Sequence, residues 1–575
     1  MFLLVSNTEG MNTKIEICQS LTTFHVDDLP LLIGIIRSMN LDCILDDIVP
    51  THGNTLRQNE LTNGEALCVW LVYLMCESSH RKWKVADWVA CHTALLTRLW
   101  GAPVLASDFS DDRLSTLWAY LARAPLQDAI DQRLCASTIS LYHLQQTHVR
   151  LDATVLTGYQ HVTENGVMQA GFVKGAGPLG DSQCKLMAAA TSTGQYLTGH
   201  CHPGDRADDP LYVPLLSRLF RWDLPPGMLF VGDSKMGALA TRRHIVAHQH
   251  HYYMPLSDSL TPPAEYQALL TEALAGSLDR FTAFAPIFRD EELLGYGYAF
   301  TRSQDVATVR WTEQVHVIRS LAMVTSERKT LDRHVEKARH AFHLLQAAPK
   351  KGVKVYPDEA SLQAAILAIG HHGAVAELFH VTTAWNATYQ TAKYQGRMEV
   401  TAVQFDEAAY QRRVHRCGWR LYVTSAPAER VGMETGFLLY RQGAGQGIER
   451  MNHLVKDQDT LGLNRLYVSN TQQIRGLCYF VTLAQRMSLY MESTIRASLA
   501  ETGEELPDYA PGQKGSTRPT TKTMLERLGL RGVTLTDIVL RSGQQIRHLS
   551  DLPRILKHML RHLHLSEDIY QQLLE

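Results

Sequence analysis

Asp152 in HVRLDATVLTGY, Asp233 in LFVGDSKMGALA and Glu449 in GIERMNHLVK are three acids in three differently built neighbourhoods. The first two belong to short apolar, β-like runs, and the third lies on a helical repeat with Lys456 two turns later. A carboxylate set in an apolar strand costs free energy to desolvate and needs a compensating partner, such as a divalent cation. Three such acids spread over one chain read as the donor set of a split two-metal nuclease site, the arrangement that breaks and joins phosphodiesters. Singly, each also has a plain structural reading: a strand end or turn for Asp152 and Asp233, a solvated helix face for Glu449. The joint pattern is more specific. Ile448, Met451 and Val455 share one helix face, while Glu449, Asn452, His453 and Lys456 share the next, at spacings of three, four and seven. One polar face thus offers a carboxylate, an amide and a cation to a single ligand.

The elements that must position these residues follow from hydrophobic period and punctuation. Residues 24 to 145 are mostly helical in pattern, as in DDLPLLIGIIRSMNLDCILDDI and EALCVWLVYLMC, with Pro50, Gly53 and Gly64 as breaks. Near residue 148 the period becomes alternating. VRLDATVL, CKLMAAAT, GQYLTGHC and MLFVGD read as strands, DDPLYVPLLSRLFRW and GALATRRHIVAHQ as helices, and HYYMPLS as a further strand. The order is three strands, helix, strand, helix, strand, with Asp152 on the first strand and Asp233 closing the fourth. From about 259 to 435 strand-like runs surround long polar helices, and IERMNHLVKD and the long TQQIRGLCYFVTLAQRMSLYMESTIRASLAE follow as helices. PDYAPGQKGSTRPTTK reads as a linker before a small helical tail.

Composition limits the classes of function without choosing one. The 575 residues are 45% apolar and 20% charged, with a formal net charge of -2, so a basic surface for nucleic acid must be local. Ten cysteines without a CxxC pair point to a reduced, cytoplasmic protein with buried thiols. The longest apolar run, Ala66 to Cys76, is about half of a membrane span. The basic stretches suited to DNA are SSHRKWK, with Arg81, Lys82 and Lys84; KGSTRPTTK, Lys514 to Lys522; and Arg328, Lys329, Arg333, Lys337 and Arg339.

With these residues in place, the chain resembles the DDE transposases of bacterial insertion sequences, in the superfamily numbered four and its group numbered sixteen thirty-four. In that superfamily the last glutamate sits in a helix with the signature Tyr, two residues, Arg, three residues, Glu, six residues, Lys. Glu449 and Lys456 have the six residues between them. Tyr440 and Arg441 stand upstream but adjacent, and Gln442 and Gly445 occupy the signature's tyrosine and arginine positions. DDLPLLIGIIRSMNLDCILDDIVPTHGN and EALCVWLVYLMCESSHRKW look like the group's helical N-terminal domain, and GWRLYVTSAP looks like its strand before the last catalytic helix.

The resemblance implies an α/β fold: a ribonuclease H-like catalytic core interrupted by a large α+β insertion, with an all-helical N-terminal domain. The implied layout is a DNA-end-binding or dimerisation domain over 1–145, the core over 146–258 and 436–505, the insertion over 259–435, and a linker with a helical tail over 506–575. It implies two Mg2+ ions, replaceable by Mn2+, with Asp152 bridging them and Asp233 and Glu449 each holding one. Water would cut the ends of a mobile element and the freed 3′ hydroxyl would attack target DNA. Lys456, Tyr440 and Arg441 would contact DNA, and the partners would be double-stranded terminal inverted repeats, target DNA and a second copy of the chain, in a nucleoid-associated cytoplasmic setting without a membrane. A nuclease without strand transfer and a catalytically idle DNA-binding descendant are the alternatives.

Two motifs read as decoys. Gly175, Gly177 and Gly180 spell GxGxxG but neither follow a buried strand nor open a helix, and Pro178 interrupts them. In GHCHPGD, alternation sends His200 and His202 to one face and Cys201 to the other, so the three do not make a zinc set. Asp205, Asp208 and Asp209 read first as a helix start and second as reserve metal ligands.

Overall fold

The computed structural model describes residues 18–51, 60–142, 148–171, 182–222, 224–257, 268, 285–346, 354–371, 373–442, 448–457, 461, 465–509, 512 and 515–575. The chain divides into two compact units: Met1–Met236 with Ala247–His250 and Arg441–Glu575, and Gly237–Val246 with His251–Tyr440. The GxGxxG glycines lie outside the described residues, as do Lys514 and Gly445.

In the first unit, helices Leu29–Ser38, Leu41–Ile48, Asn63–Glu77, Val85–Trp100, Asp111–Leu121 and Ala124–Tyr142 follow one another. Asn63–Glu77 starts at a reciprocal cap in which the Thr62 side chain accepts from the Glu65 N–H and the Glu65 carboxylate accepts from the Thr62 N–H. Its apolar residues from Ala66 to Leu74 are buried all round, as a helix enclosed by others must be. The enclosing partner is the long helix Thr471–Thr502, whose Phe480 ring lies 4.6 Å from Trp70, which in turn stacks on Trp118 at 4.9 Å. Close approach there depends on Gly476, because a Cβ at that position would meet the Trp118 carbonyl oxygen at 2.0 Å.

The hydrophobic period predicts an all-helical N-terminal region and a helical C-terminal tail, and the structure differs at both ends. Strand Cys18–His25 pairs antiparallel with Thr534–Leu540, which pairs with Gln545–Leu549. The last two form a hairpin whose alternation and Gly543 turn, at φ 85°, are local signals. Their partner more than 500 residues away is not local, and no periodicity announces it.

The sheet of the first unit carries the expected order. Ser182–Thr191 lies between His148–Gly158 and Tyr196–Pro203, antiparallel to both, and His148–Gly158 pairs parallel with Leu229–Val231. Arg465–Leu466 adds a short parallel pairing to Thr157 and Gly158. Helix Tyr212–Phe220 and helix Leu239–Ala247 occur where the apolar pattern places them.

The second unit holds an antiparallel sheet in the order His251–Pro255, Trp419–Thr424, Val309–Ser320, Glu292–Val306, Ala285–Arg289. Helix Leu321–Gln346 and the hairpin Phe379–Asn386 with Arg397–Phe405 share a separate core around Leu331, Val335, Phe342 and Phe379. Buried Glu313 accepts from Tyr252 Oη at 2.6 Å, Arg302 Nε at 2.8 Å and Gln304 Nε2 at 2.9 Å, and it pairs with Arg242. Burial works against its charge, but the two arginines outweigh it and hold the carboxyl below its ordinary range.

Candidate active site

Strand register brings the two aspartates into correspondence. His148 lies opposite Leu229, Val149 opposite Phe230 and Arg150 opposite Val231. Two residues further along each chain are Asp152 and Asp233, at the point where the shorter strand ends. A parallel sheet places ligands beyond the carboxyl ends of its strands; Asp233 occupies such a position, and Asp152 lies within His148–Gly158 just past the end of its pairing with Leu229–Val231. Asp233 is fixed by a local turn: its Oδ1 accepts from the Lys235 N–H at 2.8 Å and from the Tyr212 hydroxyl at 2.7 Å.

Asp152 sits directly across from Ala188, so both project from one face of the sheet. Helix Ile448–Lys456 covers that face: Ile448, Met451 and Leu454 pack with Ala188, Ala190 and Tyr196. The small side chains of Ala188 and Ala190 let the helix come close. It is held on its other side by the long helix, through the Arg450–Glu492 ion pair at 2.5 Å and the Gln485 amide donating to the Met451 carbonyl. The helix thereby aims Asn452 at Asp152, and the Asn452 Nδ2 donates to Asp152 Oδ2 at 3.0 Å. The Oδ1 of Asn452 is buried without a hydrogen-bond partner.

Asp152 lies within the electrostatic reach of the other two acids. Burial, together with the negative charges of Asp233 and Glu449, raises its carboxyl from the ordinary 3.8 to about 7, against the lowering effect of hydrogen bonds from the Ala153 backbone and Asn452. Glu449 is exposed one turn before Asn452, and Lys456 follows one turn after it. Burial holds the Lys456 ammonium below the ordinary lysine range, opposed by the attraction of Asp152. Tyr212 is pushed well above the ordinary phenol range by burial and by Asp233.

Among the described residues the three carboxylates do not form a set whose oxygens all lie within 4.8 Å of one another. The donor set fits the cation chemistry in kind: hard carboxylate oxygens, an amide oxygen without a partner, and a buried acid with a depressed tendency to ionise. Sequence reasoning missed the part played by Tyr212. Its helix start carries no motif, and only the fold brings its hydroxyl to Asp233.

The expected DNA-contacting residues have different local settings. Tyr440 ends the second unit, edge-on to Tyr422 with ring centroids 5.4 Å apart and 6.4 Å from Tyr253. Arg441 is the first residue of the returning segment of the first unit. Lys82 is engaged within the fold: its Nζ pairs with Asp111 at 3.1 Å, meets Ser115 and lies over the Trp118 ring at 5.5 Å. Arg81 and Lys84 are exposed, with Trp83, 65% exposed, between them, and the Lys84 ammonium lies 5.4 Å from that ring's centre. Lys522 pairs with Asp457 at 3.4 Å. Arg328, Lys329, Arg333, Lys337 and Arg339 are exposed on helix Leu321–Gln346, with Arg339 paired to Glu336.

No protein-family model matches the chain, and no curated protein does. Among solved structures, the cryo-EM structure of a piggyBac transposase synaptic complex with hairpin DNA is similar over 95% of this chain and 84% of that one, at a TM-score of 0.34 and 9% identity. At that TM-score the likeness carries no argument, and the reading of the site rests on the residues of this chain. Among the described residues no helix is long and apolar enough to cross a membrane.

Proposed function

We propose that this chain is a metal-dependent DNA transposase of the DDE type, built on a ribonuclease H-like core, with Asp152, Asp233 and Glu449 as its catalytic carboxylates. The observation that carries the proposal is geometric: strand pairing sets the segments of Asp152 and Asp233 side by side, and Asn452, one turn after Glu449 on helix Ile448–Lys456, donates to Asp152 Oδ2 at 3.0 Å. The antiparallel, antiparallel, parallel pairing around His148–Gly158 supports the core assignment.

Asp152, Asp233 and Glu449 would hold two Mg2+ ions. When bound, such ions supply an activated oxygen nucleophile and neutralise charge on the leaving 3′ oxygen. The protein's own contribution is positional. Asn452 holds Asp152 by its Oδ2, and Tyr212 and the Lys235 N–H hold Asp233 by its Oδ1. Lys456, on the same helix face as Glu449, would meet a phosphate near the cut as a point charge. Double-stranded DNA bearing terminal inverted repeats is the proposed substrate, engaged by a dimer, with Arg81 and Lys84 as proposed backbone contacts.

The test uses DNA carrying the sequences on either side of the gene, searched for inverted repeats, with a target plasmid and Mg2+. Wild-type protein is expected to nick the repeat ends and join them to the plasmid, while Asp152→Ala and Glu449→Gln bind the ends without cutting. Cutting that persists in either variant removes that residue from the catalytic set. Nicking without joining would assign the chain to a nuclease instead.

A further inference from the structure

The structure gathers three thiols that the proposed catalytic chemistry does not use. Cys184 and Cys201 lie on the neighbouring antiparallel strands Ser182–Thr191 and Tyr196–Pro203, where Cys184 faces Pro203 and Leu186 faces Cys201. The two cysteines are therefore diagonal neighbours on one face. Cys478 comes from helix Thr471–Thr502, and the three Sγ atoms all lie within 4.8 Å of one another. His200 and His202 project to the opposite face, where Arg218 bonds the His200 ring, so the histidines flanking Cys201 are not its partners. The partners come from 17 residues earlier and 277 residues later.

We propose that Cys184, Cys201 and Cys478 form a binding site for a thiophilic d10 cation such as Zn2+, which ties the sheet to the long helix. The spacing is that of a ligand set. A zinc–sulfur bond of about 2.3 Å in trigonal or tetrahedral geometry sets sulfurs about 4 Å apart, inside the observed limit. The donors are soft, which favours Zn2+ or Cu+ over the hard cations suited to the carboxylate site. Cys184 and Cys478 are buried and Cys201 is partly exposed, which leaves a way in for the cation. Hydrogen bonding with Cys184 and Cys478 pulls the Cys201 thiol well below its ordinary range against the effect of burial, and Arg475, one turn before Cys478, adds to the pull. Binding transfers the remaining thiol protons to solvent, so uptake of the cation is accompanied by acid release.

Among the described residues the other compact donor set, Glu504 with His558 and His562, is already served from within. The Arg561 guanidinium pairs with Glu504, and the same nitrogen lies 3.3 Å from His558 Nδ1 and 3.2 Å from His562 Nε2.

The experiment titrates the reduced, metal-stripped full chain with Cd2+ and follows thiolate-to-metal charge-transfer absorption, then repeats the titration with Zn2+ following melting temperature and proton release. One equivalent of Cd2+ is expected to saturate the band, and one equivalent of Zn2+ to raise the melting temperature and release protons. Cys201→Ser, at the partly exposed position, is expected to lose the band and the Zn2+-dependent shift while keeping its circular dichroism spectrum. His562→Ala is expected to retain both. A wild-type chain without the band, or a Cys201→Ser chain that keeps it, overturns the proposal. Should Cys201→Ser fail to fold, Cys184→Ala in the same titration decides by the same criteria.

Discussion

Replacing Asp152 by asparagine is expected to stabilise the metal-free protein, and to do so only above a definable pH. The folded carboxyl is raised to about 7, whereas the unfolded one sits near 3.8. At about 1.4 kcal/mol per unit, the difference amounts to roughly 4 kcal/mol at full ionisation, an upper bound that relaxation of the site would reduce. The sign follows from which state holds the proton more tightly. Because the folded pKa is the higher one, the wild type is most stable, as far as Asp152 is concerned, below pH 4. It loses that stability progressively between pH 4 and pH 7 and has lost it above pH 7. The neutral amide of Asp152→Asn carries no such penalty and can still meet Asn452, so the variant should melt higher than wild type at pH 8 in a chelator, by several degrees, and show little difference at pH 4. Adding Mn2+ at pH 8 should close the gap from the wild-type side, because a cation at Asp152 replaces the proton. Thermal melts at pH 4, 6 and 8, with chelator or with Mn2+, test each of these steps. A variant that melts lower than wild type at pH 8, or a difference that does not change with pH, would refute the claim that Asp152 is a destabilised acid waiting for a cation.

Other expectations are narrower. Asn452→Ala removes the side-chain hydrogen bond to Asp152, so it should shift the Mg2+ midpoint of end cleavage upward about tenfold while leaving end-DNA affinity unchanged, as read in a cation titration. Arg81→Gln with Lys84→Gln should weaken end binding and reduce the salt slope by about two, whereas Lys82→Gln should lower the melting temperature, because Lys82 is held by Asp111 and Ser115. Gly476→Val should unfold the first unit or cost several degrees in a thermal melt, since the added atoms meet the Trp118 backbone at the crossing of two helices.

Much of this architecture was legible because its signals are local. VRLDATVL, CKLMAAAT and GQYLTGHC form strands, and the apolar stripe of IERMNHLVK is a helix face, whatever lies around them. The polar face carrying Glu449, Asn452 and Lys456 was readable for the same reason. Its target was not: that Asn452 donates to Asp152, 300 residues earlier, depends on Ala188 and Ala190, the two small residues on that sheet face that let the helix descend. Lys82 looked like any basic surface residue, yet Asp111, Ser115 and Trp118 of helix Asp111–Leu121 engage it. Strand Cys18–His25 finds its partner at Thr534–Leu540, and Cys184 and Cys478 meet Cys201, through chain closure that no period encodes. At the candidate site, sequence supplied the chemistry of the donors, and tertiary register supplied their neighbours.

The most direct test of the central claim is anomalous scattering from Mn2+ in crystals of the chain bound to its end DNA. Peaks about 2 Å from carboxylate oxygens of Asp152, shared with Asp233 on one side and Glu449 on the other, are the predicted result. Bound end DNA with no Mn2+ at these three residues, or with Mn2+ held elsewhere against the scissile phosphate, would contradict it.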